Sequence, residues 1–345
     1  MDLSLFFFAS NSADAKANYQ LLLDATKFAD QRGFTAIWTP ERHFHAFGGA
    51  YPNPSVTSAA LATVTSRIQL RAGSVVAPLH DPLRVAEEWS IVDNLSNGRV
   101  GVAFASGWHA DDFVFKPDSY ENRRAATIEA IETVRSLWRG DPIRRTGGGG
   151  TSTAVALAPA PVQTELPMWL TSAGSEETFR QAGIHGLGVL THLLGQNIPS
   201  LGKRIAEYRR HYAESQGDTA GSRVALMVHT FVDRDAEYAR KIARDPFADY
   251  LTSSFDLLSR LRTEDGASAT EVLSEADVRA LIDRAVDRYM NTSGIFGSPR
   301  DAIEVIDSLR DAGVDEIACL IDFGLPHPVV MGGLEYLAGI RRLIR

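Results

Sequence analysis

Short apolar runs alternate with longer stretches of helical periodicity along the whole chain, a rhythm that predicts βαβ units around a parallel sheet. The first predicted strand is Leu3–Ala9, followed by a helix through Tyr19-Gln20-Leu21-Leu22 to Phe28. Gly33 ends that helix, and Phe34–Trp38 reads as the second strand. After a long loop, Ser55 is the expected cap of a helix through Leu61, and Ile68–Val76 is the third strand. Pro82 opens the next helix at a position where its missing N–H is harmless. Asn97-Gly98 turns the chain into a fourth strand, Arg99–Phe104, and a helix over Glu121–Trp138 closes the first half.

From Asp141 to Pro167 the rhythm breaks. The run Gly147-Gly148-Gly149-Gly150 and several prolines predict a surface excursion, with a hairpin as one form of it. Strands five to eight are then Met168–Thr171, Leu187–Leu190, Val224–Phe231 and Ile317–Asp322. The stretch from Asp235 to Arg310 is long and strongly helical, either an insertion over one end of the sheet or extra helices on its side. Eight strands with helices between them favour a closed (β/α)8 barrel, the TIM-barrel architecture, in one domain spanning 1–345. The first strand–helix turn carries no G-x-G-x-x-G, so an open dinucleotide-binding sheet loses its main support.

Bulk composition narrows the function without naming it. Across 345 residues, 44% are hydrophobic and 23% charged, enough for a core that needs no disulfide or metal. A formal net charge of −8 argues against nucleic acid or an anionic membrane surface as the main partner. The one cysteine, Cys319, lies in the apolar run Glu316–Ile321 and reads as a buried strand thiol. Leu5-Phe6-Phe7-Phe8 is too short for the apolar region of a signal peptide, and Asp2 precedes it where positive charge is needed. The expectation is a cytoplasmic protein.

In an α/β barrel the reactive groups come from the C-terminal ends of the strands and the loops after them. Those loops hold Pro40-Glu41-Arg42-His43-Phe44-His45, then Gly73-Ser74, Ser106-Gly107-Trp108-His109 and Ser172-Ala173-Gly174-Ser175. The last of these precedes a helix, where free backbone N–H groups and the helix dipole favour an anion and serine hydroxyls add donors. Ser172 or Ser175 as a plain N-cap is the competing explanation, and Glu176 and Glu177 weaken an anion site slightly. At Ser106-Gly107-Trp108, glycine admits a ligand close to the backbone and the indole offers a flat apolar face. Glu41, His43 and His45 project to one side of an extended segment, so a metal-dependent hydrolase is a rival, with His192, His229 and Asp322 as further ligands. Arg42 among them opposes a divalent ion.

From Gly33 to Phe115 the residues carry a resemblance. Trp38-Thr39-Pro40-Glu41-Arg42-His43-Phe44 with Pro52-Asn53-Pro54, and Pro78-Leu79-His80-Asp81-Pro82 through Glu87-Glu88, are similar to the luciferase-like monooxygenases. Asp93-Asn94-Leu95-Ser96-Asn97-Gly98-Arg99, Ala105-Ser106-Gly107-Trp108 and Ser172–Ser175 continue the likeness, which is closest to the branch that serves natural-product biosynthesis in bacteria. The resemblance implies a monooxygenase that uses reduced FMN from a separate NAD(P)H-flavin reductase, O2 as co-substrate, and a homodimeric assembly. It implies that Ser172, Ala173, Gly174 and Ser175 hold the FMN phosphate, helped by Ser106, Gly107 and Trp108. Gly73-Ser74 matches the place where that family often carries a non-proline cis peptide beneath the flavin ring.

Two departures matter. The luciferases proper have two adjacent histidines after the glutamate, the first catalytic; here Arg42 stands first and His43 second. They also carry a phosphate-contacting arginine where this chain has Ser106. The first departure speaks for oxygenation rather than light emission, with His43 managing a proton and Arg42 stabilising negative charge on oxygen or a substrate carbonyl. Phe6, Phe7, Phe8 and Phe104 are candidate dry lining as well as ordinary core. Hydroxylation, epoxidation and Baeyer–Villiger insertion into a polyketide or peptide intermediate stay open, as does an F420-dependent oxidoreductase of the same fold.

Overall fold

A computed structural model of the chain describes residues 1–8, 15–44, 48–194, 196–264 and 275–344, with side chains described outside 254–264 and 275–278. The first half runs β1 (Asp2–Phe6), α1 (Ala15–Arg32), β2 (Ala36–Thr39), α2 (Pro54–Ala62), β3 (Gln69–Val76), α3 (Pro82–Ser96), β4 (Val100–Ala105) and α4 (Arg123–Trp138). The hairpin β5 (Ile143–Thr146) and β6 (Ser152–Val155) follows. The second half runs β7 (Met168–Ser172), α5 (Glu176–Ile184), β8 (Gly188–His192), α6 (Ile198–Gln216), β9 (Val224–Val232), α7 (Ala236–Glu264) and α8 (Glu275–Arg288). It ends with β10 (Ile295–Gly297), α9 (Pro299–Asp311), β11 (Glu316–Leu320) and α10 (His327–Leu343).

Parallel pairing runs β9-β11-β1-β2-β3-β4-β7-β8, and β8 pairs back onto β9, so the sheet closes into the eight-stranded barrel expected from the sequence. Closure removes every sheet edge and forces alternate residues of each strand inward. The excursion after α4 is the expected hairpin, turned at its glycines by the Gly147 N–H to Thr151 carbonyl bond of 2.9 Å. The helical region after β9 resolves into α7, α8, a π-helical turn Tyr289–Ser293 and a three-residue strand β10 that pairs along β9. That strand was not foreseen, because three residues carry no readable period. One cap is corrected. Asn53, not Ser55, caps α2, accepting from Ser55 N at 2.8 Å and Val56 N at 3.3 Å, while Ser55 lies in the first turn. Ala9, the expected end of strand one, lies outside the described residues. Among the described residues no helix is long and apolar enough to cross a membrane.

The barrel interior is not uniformly apolar. At its N-terminal end Arg71 on β3 reaches Glu316 on β11 at 2.7 Å, both side chains about one-tenth exposed. Glu316 also accepts from Ser4 Oγ at 2.6 Å and Trp38 Nε1 at 2.9 Å, so β1, β2, β3 and β11 converge on one carboxylate. The Arg71 guanidinium lies over the rings of Trp38 and Trp169, 4.9 and 4.7 Å from their centroids. The Trp169 indole needs space that side chains on its neighbours would fill. A Cβ at Gly188 would lie 2.3 Å from its ring and one at Gly101 2.9 Å, so glycine is required on both flanking strands. The plug occupies this end of the lumen and leaves the C-terminal end for chemistry.

A buried pair broken from one side leaves an uncompensated charge. Glu316→Gln, which keeps an acceptor for Ser4 and Trp38 but strands Arg71, should destabilise the protein by about 3 kcal/mol. Adding Arg71→Met to that variant should recover part of the loss, so that denaturant unfolding shows the double variant to be the more stable of the two. A further loss on adding the second change would contradict this account.

Candidate active site

β2 ends at Thr39, and beyond Pro40 the side chains of Glu41 and His43 meet each other while Arg42 packs on Phe8 and Trp108. Glu41 is buried against the end of β3, where its Oε2 accepts the Val76 N–H at 2.7 Å. Its Oε1 is shared by two imidazoles, His43 Nε2 at 2.7 Å and His80 Nε2 at 2.6 Å. His80 arrives on the turn Ala77–Leu79 that follows β3. Burial opposes the charge on Glu41, but the hydrogen bonds from His43, His80 and Val76 outweigh it and hold the carboxyl below its ordinary range. For His80 burial again works against charge, and the hydrogen bond and charge of Glu41 outweigh it, raising the imidazole above its ordinary value.

Arg42 is buried as well. Its guanidinium lies over the rings of Phe8 and Trp108, 5.2 and 4.6 Å from their centroids, and its backbone N–H donates to the Tyr51 carbonyl at 3.0 Å. Its Nε is buried with no hydrogen-bond partner, and no ion pair to it forms among the described residues. Burial lowers its proton affinity, partly offset by the charge of Asp112 and by Tyr250. Aromatic faces are weak replacements for water around a guanidinium, so this group is set to receive an anionic or strongly dipolar partner.

The other expected residues stand within β3 (Gly73, Ser74), after β4 (Ser106–Trp108) and at the end of β7 (Ser172–Ser175), strands that neighbour β2 in that order. The Gly73–Ser74 peptide is cis, as the resemblance implied. Ser74 Oγ shares a hydrogen bond with Thr171 Oγ1 across to β7. Gly73 is glycine for packing reasons, since a Cβ there would lie 2.7 Å from the Phe6 ring. Gly107 has φ +76°, and a Cβ would meet Phe113 at 2.8 Å, so the turn carrying Ser106 and Trp108 cannot take a side chain at that point. Trp108 remains 38% exposed even with Arg42 against it. Ser175 is the N-cap of α5, accepting from Thr178 N at 3.4 Å, and Ser172 Oγ accepts the Gly174 N–H at 3.1 Å. Glu177 in that first turn is paired with Arg180 at 2.6 Å, so its charge is partly spent locally. Ala173 and Ser175 are exposed, which leaves the turn's main chain accessible.

Of the constellation expected under the rival metal reading, Glu41 and His43 do meet, at 2.7 Å. His45 lies outside the described residues. His192 and His229 stand on β8 and β9, where burial holds their pKa values down to about 4 and about 3, and Asp322 accepts the Phe8 N–H. His229 is instead packed among aromatic rings, with Phe247 and Tyr250 of α7 each 4.8 Å away. Sequence reasoning missed His80 and these insertion aromatics. His80 sat within a quoted motif at a strand end, a signal that was available; Phe247 and Tyr250 sat in ordinary helical periodicity, which gave none. A surface cavity of about 540 Å³ lies at the opposite end of β7 and β8, lined by Arg135, Arg139 and Arg223, and is separate from these groups.

A family model described as luciferase-like monooxygenase matches residues 1–316. The oxygenase component of a flavin-dependent trigonelline monooxygenase from Acinetobacter baylyi is 26% identical over 97% of this chain and 93% of its own. A 4-hydroxyprotoasukamycin monooxygenase from Streptomyces nodosus subsp. asukaensis is 28% identical over 84% of this chain and 76% of its own. Among solved structures, monooxygenase RslO1 from Streptomyces bottropensis superposes with a TM-score of 0.81 at 21% identity, covering 98% of both chains, and supports the fold.

The Glu41 cluster should leave a signature in the pH dependence of stability. A carboxyl held below its ordinary 4.5 contributes stability above that pH and loses it on acidification, whereas an imidazole held above 6.5 contributes below that pH and loses it as pH rises. The margin of the natural protein over Glu41→Gln should therefore peak between pH 4.5 and 6.5 and shrink on both sides. Thermal unfolding across that range measures it; a margin that does not vary with pH would show that the cluster is not charged.

Proposed function

The chain belongs to the luciferase-like monooxygenase family, and from that premise we propose that it uses reduced FMN from a partner reductase to insert one atom of O2 into a secondary-metabolite intermediate. The observation that carries this reading is Arg42: a buried guanidinium with an orphaned Nε, beside His43 and between aromatic faces at the barrel mouth. The residues fit a flavin on that ground and on the exposed small-residue turn before α5. Bound reduced flavin would supply the activation of O2 and the transfer of one oxygen atom.

The chain's own residues divide the remaining work. The turn Ser172-Ala173-Gly174-Ser175 would hold the FMN phosphate with its backbone N–H groups at the head of α5. Ser106, Gly107 and Trp108 would flank it from the next strand, and Gly73-Ser74 would lie beneath the ring. Arg42 would stabilise negative charge that develops on oxygen, most effectively where water is excluded. Phe8, Phe44, Trp108 and Phe115 form an apolar rim beside Arg42 and His43 that would exclude water. His43 would manage one proton at that rim. The aromatic residues of α7 and the π-helical turn cover His229, whose depressed pKa keeps it uncharged, so that wall suits an uncharged substrate region of polyketide or peptide type. The relative named as an oxygenase component supports a separate reductase, and the protoasukamycin relative supports a natural-product substrate. A homodimer is part of the same proposal.

With FMN, NADH and an unrelated flavin reductase, oxygen-dependent turnover of candidate metabolites should give product labelled from ¹⁸O2. Unlabelled product, or turnover without oxygen on reduced F420, would overturn the oxygenase reading. Arg42→Ala and His43→Ala should each lower product formation by about 100-fold, while FMN binding followed by fluorescence changes little. Unchanged turnover in both variants would remove them from the mechanism.

A further inference from the structure

His80 carries no role in the reading above, yet it hydrogen-bonds the same carboxylate oxygen as His43. The three polar atoms, Glu41 Oε1 and the two imidazole nitrogens, lie within 4.8 Å of one another. One carboxylate balances one imidazolium. A second positive charge at that spacing is opposed by the first, so the cluster holds one extra proton readily and a second one poorly.

The surroundings decide which ring carries it. The His80 side chain is 33% exposed and that of His43 only 9%. His80 faces Glu41 and Glu88, the latter also paired with Arg84 at 3.0 Å, against the single charge of Lys116. His43 packs edge-on to Phe115 at 4.8 Å and against Phe44 at 5.7 Å, and the residue before it is the buried Arg42. Water and two carboxylates favour a charged His80. The His43 ring, itself shut off from water, is the poorer place for a charge.

We propose that His80 is a positioning residue: by carrying the proton that balances Glu41, it holds His43 neutral with its hydrogen on Nε2, leaving the Nδ1 lone pair free to accept a proton in the reaction. The N–H on Nε2 is the one donated to Glu41 Oε1, so the shared hydrogen bond selects the tautomer. The proton taken at Nδ1 returns from the same nitrogen before the next turnover, and the cluster gains or loses none. The raised proton affinity of His80 agrees with this assignment. The inference rests on the acid–base role given to His43 above, but the state of the two rings is measurable without flavin or substrate.

The test is an NMR titration of protein labelled with ¹⁵N in its nine histidines, with His43 and His80 signals assigned by their loss in His43→Gln and His80→Gln. At pH 6.5 the natural protein should show His80 charged and His43 neutral with its hydrogen on Nε2. In His80→Gln, which keeps an amide donor for Glu41 but removes the charge, the His43 midpoint should rise by about one pH unit or more. His80→Lys, which restores a positive charge, should bring the midpoint back down. The acid limb of the pH profile of kcat should move up by the same amount in His80→Gln, with rate recovered at higher pH and KM for substrate unchanged. A His43 midpoint that ignores His80, or a natural protein in which His43 carries the charge, would overturn the proposal; through-bond assignment of the two rings in the natural protein reads the tautomer directly and decides this even if the variants fail to fold. Correct titration without turnover would count against the oxygenase reading alone.

Discussion

The architecture turns on the buried pair between Arg71 and Glu316. A closed eight-stranded barrel has an interior just wide enough to be filled by its own side chains. Here one end is filled by a guanidinium, a carboxylate and two indoles tied by Ser4 Oγ and Trp38 Nε1. Burying two opposite charges is tolerable only when each is matched, and the glycines at 101 and 188 clear the volume that Trp169 needs to complete the match. With that end of the lumen filled, the barrel interior is left open toward its C-terminal mouth. The plug thereby determines which loops can do chemistry.

A second buried carboxylate organises the mouth. Glu41 is satisfied by a backbone N–H and two imidazoles, while Arg42, its neighbour in sequence, is left with aromatic faces and an orphaned Nε. The segment just after β2 thus builds a fully satisfied carboxylate cluster and, one residue on, a cation with an orphaned Nε. The first holds geometry and charge. The second waits for a partner. This contrast, more than the identity of any single residue, is what the proposed site rests on.

Much of this was legible in the chain before any coordinates. Period and spacing placed all eight barrel strands to within a few residues, because parallel strands buried on both faces read as continuous apolar runs. The strand-end loops then offered Arg42, His43 and the small-residue turns as candidates, since an α/β barrel carries its chemistry at those ends. The short strand β10 was not legible, because Ile295–Gly297 pairs along β9 through backbone bonds that leave no pattern in three side chains. The cap of α2 was misassigned to Ser55 because Asn53 lies between two prolines, where sequence suggests a turn rather than a helix start.

The sequence by itself determined the barrel, its closed order and the strand ends that bear reactive groups, because each of these follows from local periodicity repeated along the chain. Only the tertiary structure decided which of those groups meet. Glu41 and His80 are 39 residues apart, and Arg71 and Glu316 are 245 apart. No local preference records such a meeting. Spacing pointed to His45, which lies outside the described residues, and gave no hint that Glu41 would divide one oxygen between His43 and His80, the latter brought in by the turn after the neighbouring strand. Phe247 and Tyr250 were ordinary helix residues until α7 folded back over the mouth and set them against His229. Which charges are balanced, and which are left to be balanced by a ligand, depends on distances that only the closed barrel imposes.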